Sequence, residues 1–312
     1  MSNNQVKKKN LLIICRGAGD LATGIIHRLH RAGHKVIALE TDCPAAIRRQ
    51  VSFCEAVYDG SATVEGVTAR LLPALNDAET ISGINDTPAA HIASEKWDSS
   101  AIEAVLEAGE VPLLIDPTGE SIALLKPDVV VDAIIAKKNL GTTINMAPLV
   151  IGVGPGFTAG QDVHLVIESM RGHNLARIIT DGMAQPNTGV PGNIAGFTSE
   201  RVIHAPAAGY IYDVRKIGDI VQKGDEIARI YPDKGSYDNK LSEYVPVNAT
   251  ITGIIRGLIR EGYYFKEGFK IADIDPREGE LSNCFTISDK ARSIAGSVLE
   301  AVSAFEHGIR VY

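Results

Sequence analysis

The chain is poor in cysteine, carries no excess of basic charge and has no long apolar run, and each shortage excludes something. Four cysteines (Cys15, Cys43, Cys54, Cys284) lie scattered through 312 residues with no C-x-x-C pair. That pattern gives neither a disulfide framework nor a zinc site and reads as reduced intracellular thiols. The net charge is −7, with no long basic stripe, which argues against nucleic acid as a partner. No stretch approaches the roughly 18 apolar residues of a spanning helix, so no membrane is expected either. Lys7-Lys8-Lys9 followed by Leu11–Cys15 imitates an export signal. Its apolar run is too short, and Arg16 and Asp20 follow at once, so the expected location is cytoplasmic.

What is present belongs to a globular enzyme or enzyme accessory: 45% apolar and 22% charged residues, in a length that suggests about two domains. Residues 11–15 form a continuous apolar run, as a strand buried on both faces does. A glycine turn then opens an amphipathic helix with Leu21, Ile25, Ile26 and Leu29 on one side, and Lys35–Glu40 supplies a second strand. This rhythm predicts a parallel sheet with further strands near 64–71, 111–115, 129–132, 148–153 and 163–168, a helix at 100–108 and a long loop over 76–100.

Gly17-x-Gly19-x-x-Ala22 sits between strand and helix, where backbone N–H groups at a helix N-terminus suit an anion. Glu40 ends the next strand, where an acid would meet a ribose hydroxyl, while Asp20 either repels a pyrophosphate or caps the helix. Arg16 and Arg48 are candidate neighbours of the same ligand. Asp116, after the strand 111–115, is a further candidate contact, with turn formation as its plain alternative. A second glycine turn, Gly154-Pro155-Gly156, follows the strand 148–153 and reads equally as an anion seat or a tight corner. Lys137, just beyond the strand 129–132, is placed to meet phosphate or carboxylate. Asp162, His164 and Glu168 share one face of a strand by their even spacing, which suits proton transfer as well as a structural polar network. With Lys137 they form the candidate catalytic set. Their spacing matches no specific metal motif, so no metal is assigned.

Over 205–275 the pattern changes. Gly209, Gly218, Gly224 and Ile230 recur 44 residues later as Gly253, Gly262, Gly268 and Ile274, which predicts a small β-sandwich of two similar halves. A helix over 288–304 follows and is expected to pack back on the first domain. The domains are therefore set at 1–200, 201–278 and 279–312.

Several segments together resemble a known family. They are Arg16-Gly17-Ala18-Gly19-Asp20-Leu21-Ala22-Thr23-Gly24, the run Ala46 to Tyr58, the run Val131 to Gly141, and Gly152 to Phe157 with Arg171-Gly172-His173-Asn174-Leu175. These are similar to the selenium-dependent molybdenum hydroxylase system proteins of the YqeB type, whose N-terminal domain resembles the Rossmann domain of xanthine dehydrogenase accessory proteins. The resemblance implies an accessory role in maturing molybdenum hydroxylases, with a hydroxylase client, and a nucleotide or molybdopterin-type ligand at the glycine turn. It assigns no residue a catalytic role. The sandwich also resembles the biotinyl/lipoyl carrier fold, but the position of the modified lysine is Ser242, with Lys234 and Lys240 displaced, so no biotin or lipoyl arm is expected. The expected fold class is thus α/β, a Rossmann-like parallel sheet with a second, carrier-like β-sandwich. An NAD(P)-dependent oxidoreductase and a non-catalytic partner-binding scaffold remain as alternatives, and the cofactor and oligomeric state stay open.

Overall fold

The computed structural model describes residues 10–74, 96–189, 192, 194–240 and 243–309. Most of the loop expected over 76–100, and Ser242, lie outside these residues. Among the described residues no helix is long and apolar enough to cross a membrane.

The first strand, β1 (Leu12–Arg16), is central because its side chains are apolar on both faces. Ile13 and Cys15 enter one core and Ile14 the other, each fully buried. β2 (Lys35–Glu40) pairs parallel on one side of it. The sheet continues outward on that side, beyond β3 (Ser61–Val64) and β4 (Val67–Leu72) in sequence, through β5 (Val111–Ile115). On the other side stand β6 (Val129–Asp132), β7 (Leu149–Val153), β9 (Leu165–Ile167) and β10 (Ile178–Ile179). The nine-stranded order is β10-β9-β7-β6-β1-β2-β5-β4-β3. A short β8 (Thr158–Ala159) pairs separately with β11 (Gly182–Met183).

Helices cover both faces. Helix α1 (Asp20–Arg31) buries Ala22, Ile25, Ile26 and Leu29; α2 (Ala56–Asp59) is a single turn before β3. Helices α3 (Ser99–Glu107) and α4 (Glu120–Leu125) flank β5 in sequence and feed the opposite core through Ile102 and Ile122.

The remaining strands are β12 (Val202–His204), β13 (Gly209–Asp213), β14 (Ile220–Val221), β15 (Glu226–Tyr231), β16 (Val245–Asn248), β17 (Gly253–Leu258), β18 (Tyr264–Phe265) and β19 (Lys270–Asp275). They form two four-stranded antiparallel sheets, β12-β19-β17-β14 and β16-β15-β13-β18, with the short helix α5 (Lys234–Asn239) after β15. The 44-residue repeat is physical. Gly209 and Gly253 open equivalent strands at φ 153° and 157°, and a Cβ on either would meet a carbonyl oxygen of the partner strand at 2.2 Å. Only glycine allows that approach. The two halves exchange their short strands: β14 pairs with β17, and β18 with β13. Finally, α6 (Asp289–Glu306) returns to pack along α1, with Ala291 against Gly24.

The expected fold class is therefore corrected. The large sheet is mixed, because β3 and β10 run antiparallel at its two edges. β6 reaches β7 through a loop with one 3-10 turn, and β7 reaches β9 through β8, so the regular strand–helix alternation of a Rossmann sheet is absent on that side. The repeat is not a free-standing carrier-like sandwich: it is two strand-exchanged sheets whose core also takes Ala45 and Ile47 from the loop after β2. The Ile47 carbonyl accepts the Leu258 N–H at 2.8 Å.

Candidate functional site

Backbone at the carboxyl ends of parallel strands is where a sheet of this kind presents its loops to a ligand. After β6, the loop bearing Lys137 is held by Asp132, buried at the strand end. Its carboxylate accepts the Ile134 N–H (3.1 Å) and the Thr142 hydroxyl (2.5 Å), and Arg16 donates to the same hydroxyl while lying 3.7 Å from Asp132. Lys137 itself stands at φ 64° and is exposed. After β9, the buried Glu168 carboxylate accepts the N–H groups of Met170 (2.7 Å) and Gln185 (2.8 Å), which fixes the segment Ser169–Arg171 against the 185–189 loop. Arg171 in turn makes two 2.8 Å hydrogen bonds to Asp289 in the first turn of α6.

These loops face His204 at the end of β12, Lys270 at the start of β19 and Lys290 in α6, across a cleft of about 700 Å³. Among the described residues, its wall holds four cations, Lys137, Arg171, Lys270 and Lys290, and no carboxylate. Among the described residues, Arg171 alone of the four has an ion pair within 4 Å. Burial lowers the pKa of Lys290, with the Arg171 cation adding to the effect. Lys270 is an exposed residue, and desolvation by the surrounding protein lowers its pKa as well, against the opposing pull of Asp273 and Asp20. Such a wall attracts and orients anions.

The residues singled out from sequence divide sharply. Gly17, Gly19, Asp20, Ala22 and Glu40 line a separate cavity of about 260 Å³ after β1. Three donors of that turn are taken. The Gly17 N–H goes to the Leu39 carbonyl (2.7 Å), the Ala18 N–H to Glu40 (2.8 Å) and the Leu21 N–H to Asp20 (2.9 Å). Glu40 and Asp20 set two carboxyl groups in its wall, with burial raising the pKa of Glu40, so the seat does not suit a pyrophosphate. Gly17 is needed for packing: at φ 95° its missing Cβ would stand 3.0 Å from the backbone of Ala133 and Ile134. Arg16 is locked in the strand-end network above. Arg48 is buried and donates to the carbonyls of Asn283 (2.8 Å) and Thr286 (3.2 Å), with Asp20 at 3.7 Å.

Asp116 is a helix cap. Its carboxylate accepts the N–H groups of Gly119, Glu120 and Ser121 and the Ser121 hydroxyl, at 2.6–3.0 Å. Gly154 gives its N–H to Ile167 (2.8 Å), and a Cβ on Gly156 would meet the Lys138 backbone at 2.7 Å, so both form close corners around Pro155, which does border the cleft. Asp162 and His164 precede β9, whereas Glu168 follows it. Asp162 accepts the Thr158 N–H (2.8 Å), and His164 Nδ1 accepts the Val150 N–H (2.9 Å) while burial lowers its pKa. The expected acid–base ridge is thus divided between opposite ends of the strand. Lys234 and Lys240 lie over tyrosine rings; the Lys240 ammonium is 3.7 Å from the Tyr237 centroid and 4.1 Å from that of Tyr212.

Of the candidates, Lys137 borders the cleft, and Glu168 and Arg16 support its loops. His204, Lys270 and Lys290 were missed. One signal for Lys290 was legible: a lysine directly after Ser288-Asp289 opens a helix with a cation where the dipole favours acids.

No family model matches the chain. It is 47% identical over 296 residues to the uncharacterized protein YqeB of Escherichia coli (strain K12), which covers 95% of this chain and 48% of that protein. The chain is a homologue of YqeB. It spans about half the length of this curated relative. Among solved structures, this YqeB homologue is matched with the product-bound ectoine utilization protein EutE of Ruegeria pomeroyi (12% identity, 85% of each chain, TM-score 0.25). It is also matched with an aspartoacylase family protein of Mesorhizobium loti (12%, 84% of each, TM-score 0.27) and a succinylglutamate desuccinylase of Silicibacter sp. TM1040 (12%, 85% and 84%, TM-score 0.25). Glu40 and Asp20, which share the cavity at the glycine turn, count against the nucleotide or molybdopterin ligand expected there. The expected accessory role is withdrawn together with that ligand, as are the oxidoreductase and scaffold alternatives. At such TM-scores the neighbours give the YqeB homologue no hydrolase chemistry in exchange.

Proposed function

We propose that the protein binds a small organic anion, one bearing phosphate or carboxylate groups, in the cleft between the carboxyl ends of β6, β7 and β9 and the start of α6. The observation that carries this reading is the convergence of Lys137, Lys270 and Lys290 on a wall without a carboxylate, in a chain whose net charge is −7. Cations held in one wall raise the local positive potential, which fits a site whose ligand is an anion. Arg171, in the same wall, adds a planar donor group suited to oxyanions.

Isothermal titration with inorganic pyrophosphate tests the proposal. Binding is expected in the unaltered chain, and Lys137→Ala and Lys290→Ala should each weaken it about tenfold, ~1.4 kcal/mol. Because the pKa values of Lys270 and Lys290 are lowered, affinity should begin to fall at a lower pH than for ordinary lysines. Binding on that alkaline side should take up protons, visible as a buffer-dependent enthalpy. Equal affinity in the unaltered chain and both variants would refute the proposal.

A further inference from the structure

A second cavity, of about 530 Å³, lies on the other side of Arg171. Its wall carries Arg171, Arg256, Arg277 and Arg292, together with the first turn of α6 at Ser288 and Asp289. Asp289 is the one carboxylate in that wall among the described residues. The four guanidinium groups are not equally engaged. Arg277 is chelated by Asp275 at 2.9 and 2.7 Å, and Arg171 by Asp289 at 2.8 Å twice. Arg256 lies 3.9 Å from Asp273, and its buried Nε has no hydrogen-bond partner. Arg292 approaches Glu65 only at 3.6 Å. Two guanidinium groups therefore keep donors to spare beside the N-terminus of an 18-residue helix, whose dipole favours an anion.

Arg171 belongs to the walls of both cavities, and consecutive residues of α6 face them: Asp289 the arginine cavity, Lys290 the lysine cleft. Successive residues are turned by about 100° around a helix, so one helical turn serves both sides. We infer that the ligand of this protein carries two separated oxyanion groups, such as two phosphates on a short carbon skeleton. One group is held by Lys137, Lys270 and Lys290, and the other by Arg256 and Arg292, with Arg171 between them. This inference rests on the reading of the lysine cleft given above. The Arg171–Asp289 pair is the partition, and a ligand that reaches across it exchanges the Asp289 carboxylate for its own oxygens at Arg171.

The test compares two probes of the same skeleton class, glucose 6-phosphate and fructose 1,6-bisphosphate, by titration calorimetry on the full chain. The bisphosphate should bind at least tenfold more tightly, and the ratio of the two affinities should collapse towards one in Arg256→Gln. Arg292→Gln, at an exposed position, should lower the same ratio and serves where the partly buried Arg256 variant fails to fold. Equal binding of both probes by the unaltered chain, or an unchanged ratio in the folded variants, would overturn the two-group inference and leave the lysine cleft standing. Failure of both probes to bind would remove the cleft reading itself.

Discussion

Asp116 illustrates how a residue can carry the look of a ligand contact and none of its freedom. It follows a parallel strand, where a carboxylate has reason to face a ligand, yet all its acceptor capacity goes to the start of α4. Asp116→Ala leaves the Glu120 and Ser121 N–H groups without their acceptor, and the Gly119 N–H with only the backbone carbonyl of residue 116, and should cost ~2 kcal/mol of stability in chemical denaturation, while anion affinity stays as it was. A stable variant with lost affinity would move Asp116 into the site. Glu168 has the same character, turned towards the loop that borders the cleft. The sequence signal that joined it to Asp162 and His164 was an even spacing, and a period of two has meaning only inside a strand. β9 is three residues long, so the period runs past both its ends into loops. Lys137 was legible because it lies directly beyond an apolar strand. Lys270 and His204 were not, since nothing local distinguishes them from solvated surface.

Elements were more legible than their pairing. The apolar runs over 11–15, 111–115, 129–132 and 148–153 appear as β1, β5, β6 and β7, because strands buried on both faces need continuous apolar sequence. The glycine offset of 44 residues was visible because each half imposes the same backbone demand. The exchange of β14 and β18 between halves was not, since cross-pairing depends on tertiary register, and the antiparallel edge strands of the large sheet were missed for the same reason. At this scale the contact of α1 with α6 is a firm point: a Cβ on Gly24 would stand 2.8 Å from that of Ala291. Gly24→Leu should therefore overpack the pair and cost ~2 kcal/mol, a loss that thermal denaturation would detect; no loss would mean that α6 can shift away. The joint between the large sheet and β13 is pH-sensitive. Burial, with Glu261 adding to it, pushes the Asp213 carboxyl up from 3.8 to about 7, against the Arg49 guanidinium 3.0 Å away. The folded state then holds a proton that the unfolded state has released between about pH 4 and pH 7, so stability falls as pH rises through that window. Asp213→Asn keeps an acceptor for Arg49 and should flatten the fall, whereas parallel pH profiles for the two chains would contradict it.

At the scale of the whole molecule, the cleft is a product of chain return. Lys137 comes from the large sheet, Lys270 from the antiparallel sheets and Lys290 from the helix that packs back on α1. No window of sequence contains two of the three segments together with Lys137, and the net charge of −7 hides a cationic wall. The glycine turn, by contrast, was conspicuous because strand, turn and helix are contiguous, but Glu40 takes its Ala18 N–H and, with Asp20, lines the cavity beside it. The two cavities thus make opposite claims on an anion: one offers cations in a wall that holds no carboxylate among the described residues, the other Glu40 and Asp20. A crystal structure of the chain grown with inorganic pyrophosphate decides between them directly. Pyrophosphate is expected between Lys137, Lys270 and Lys290; pyrophosphate seated at Gly17 and Gly19, or an empty lysine cleft at saturating concentration, would overturn the proposed site.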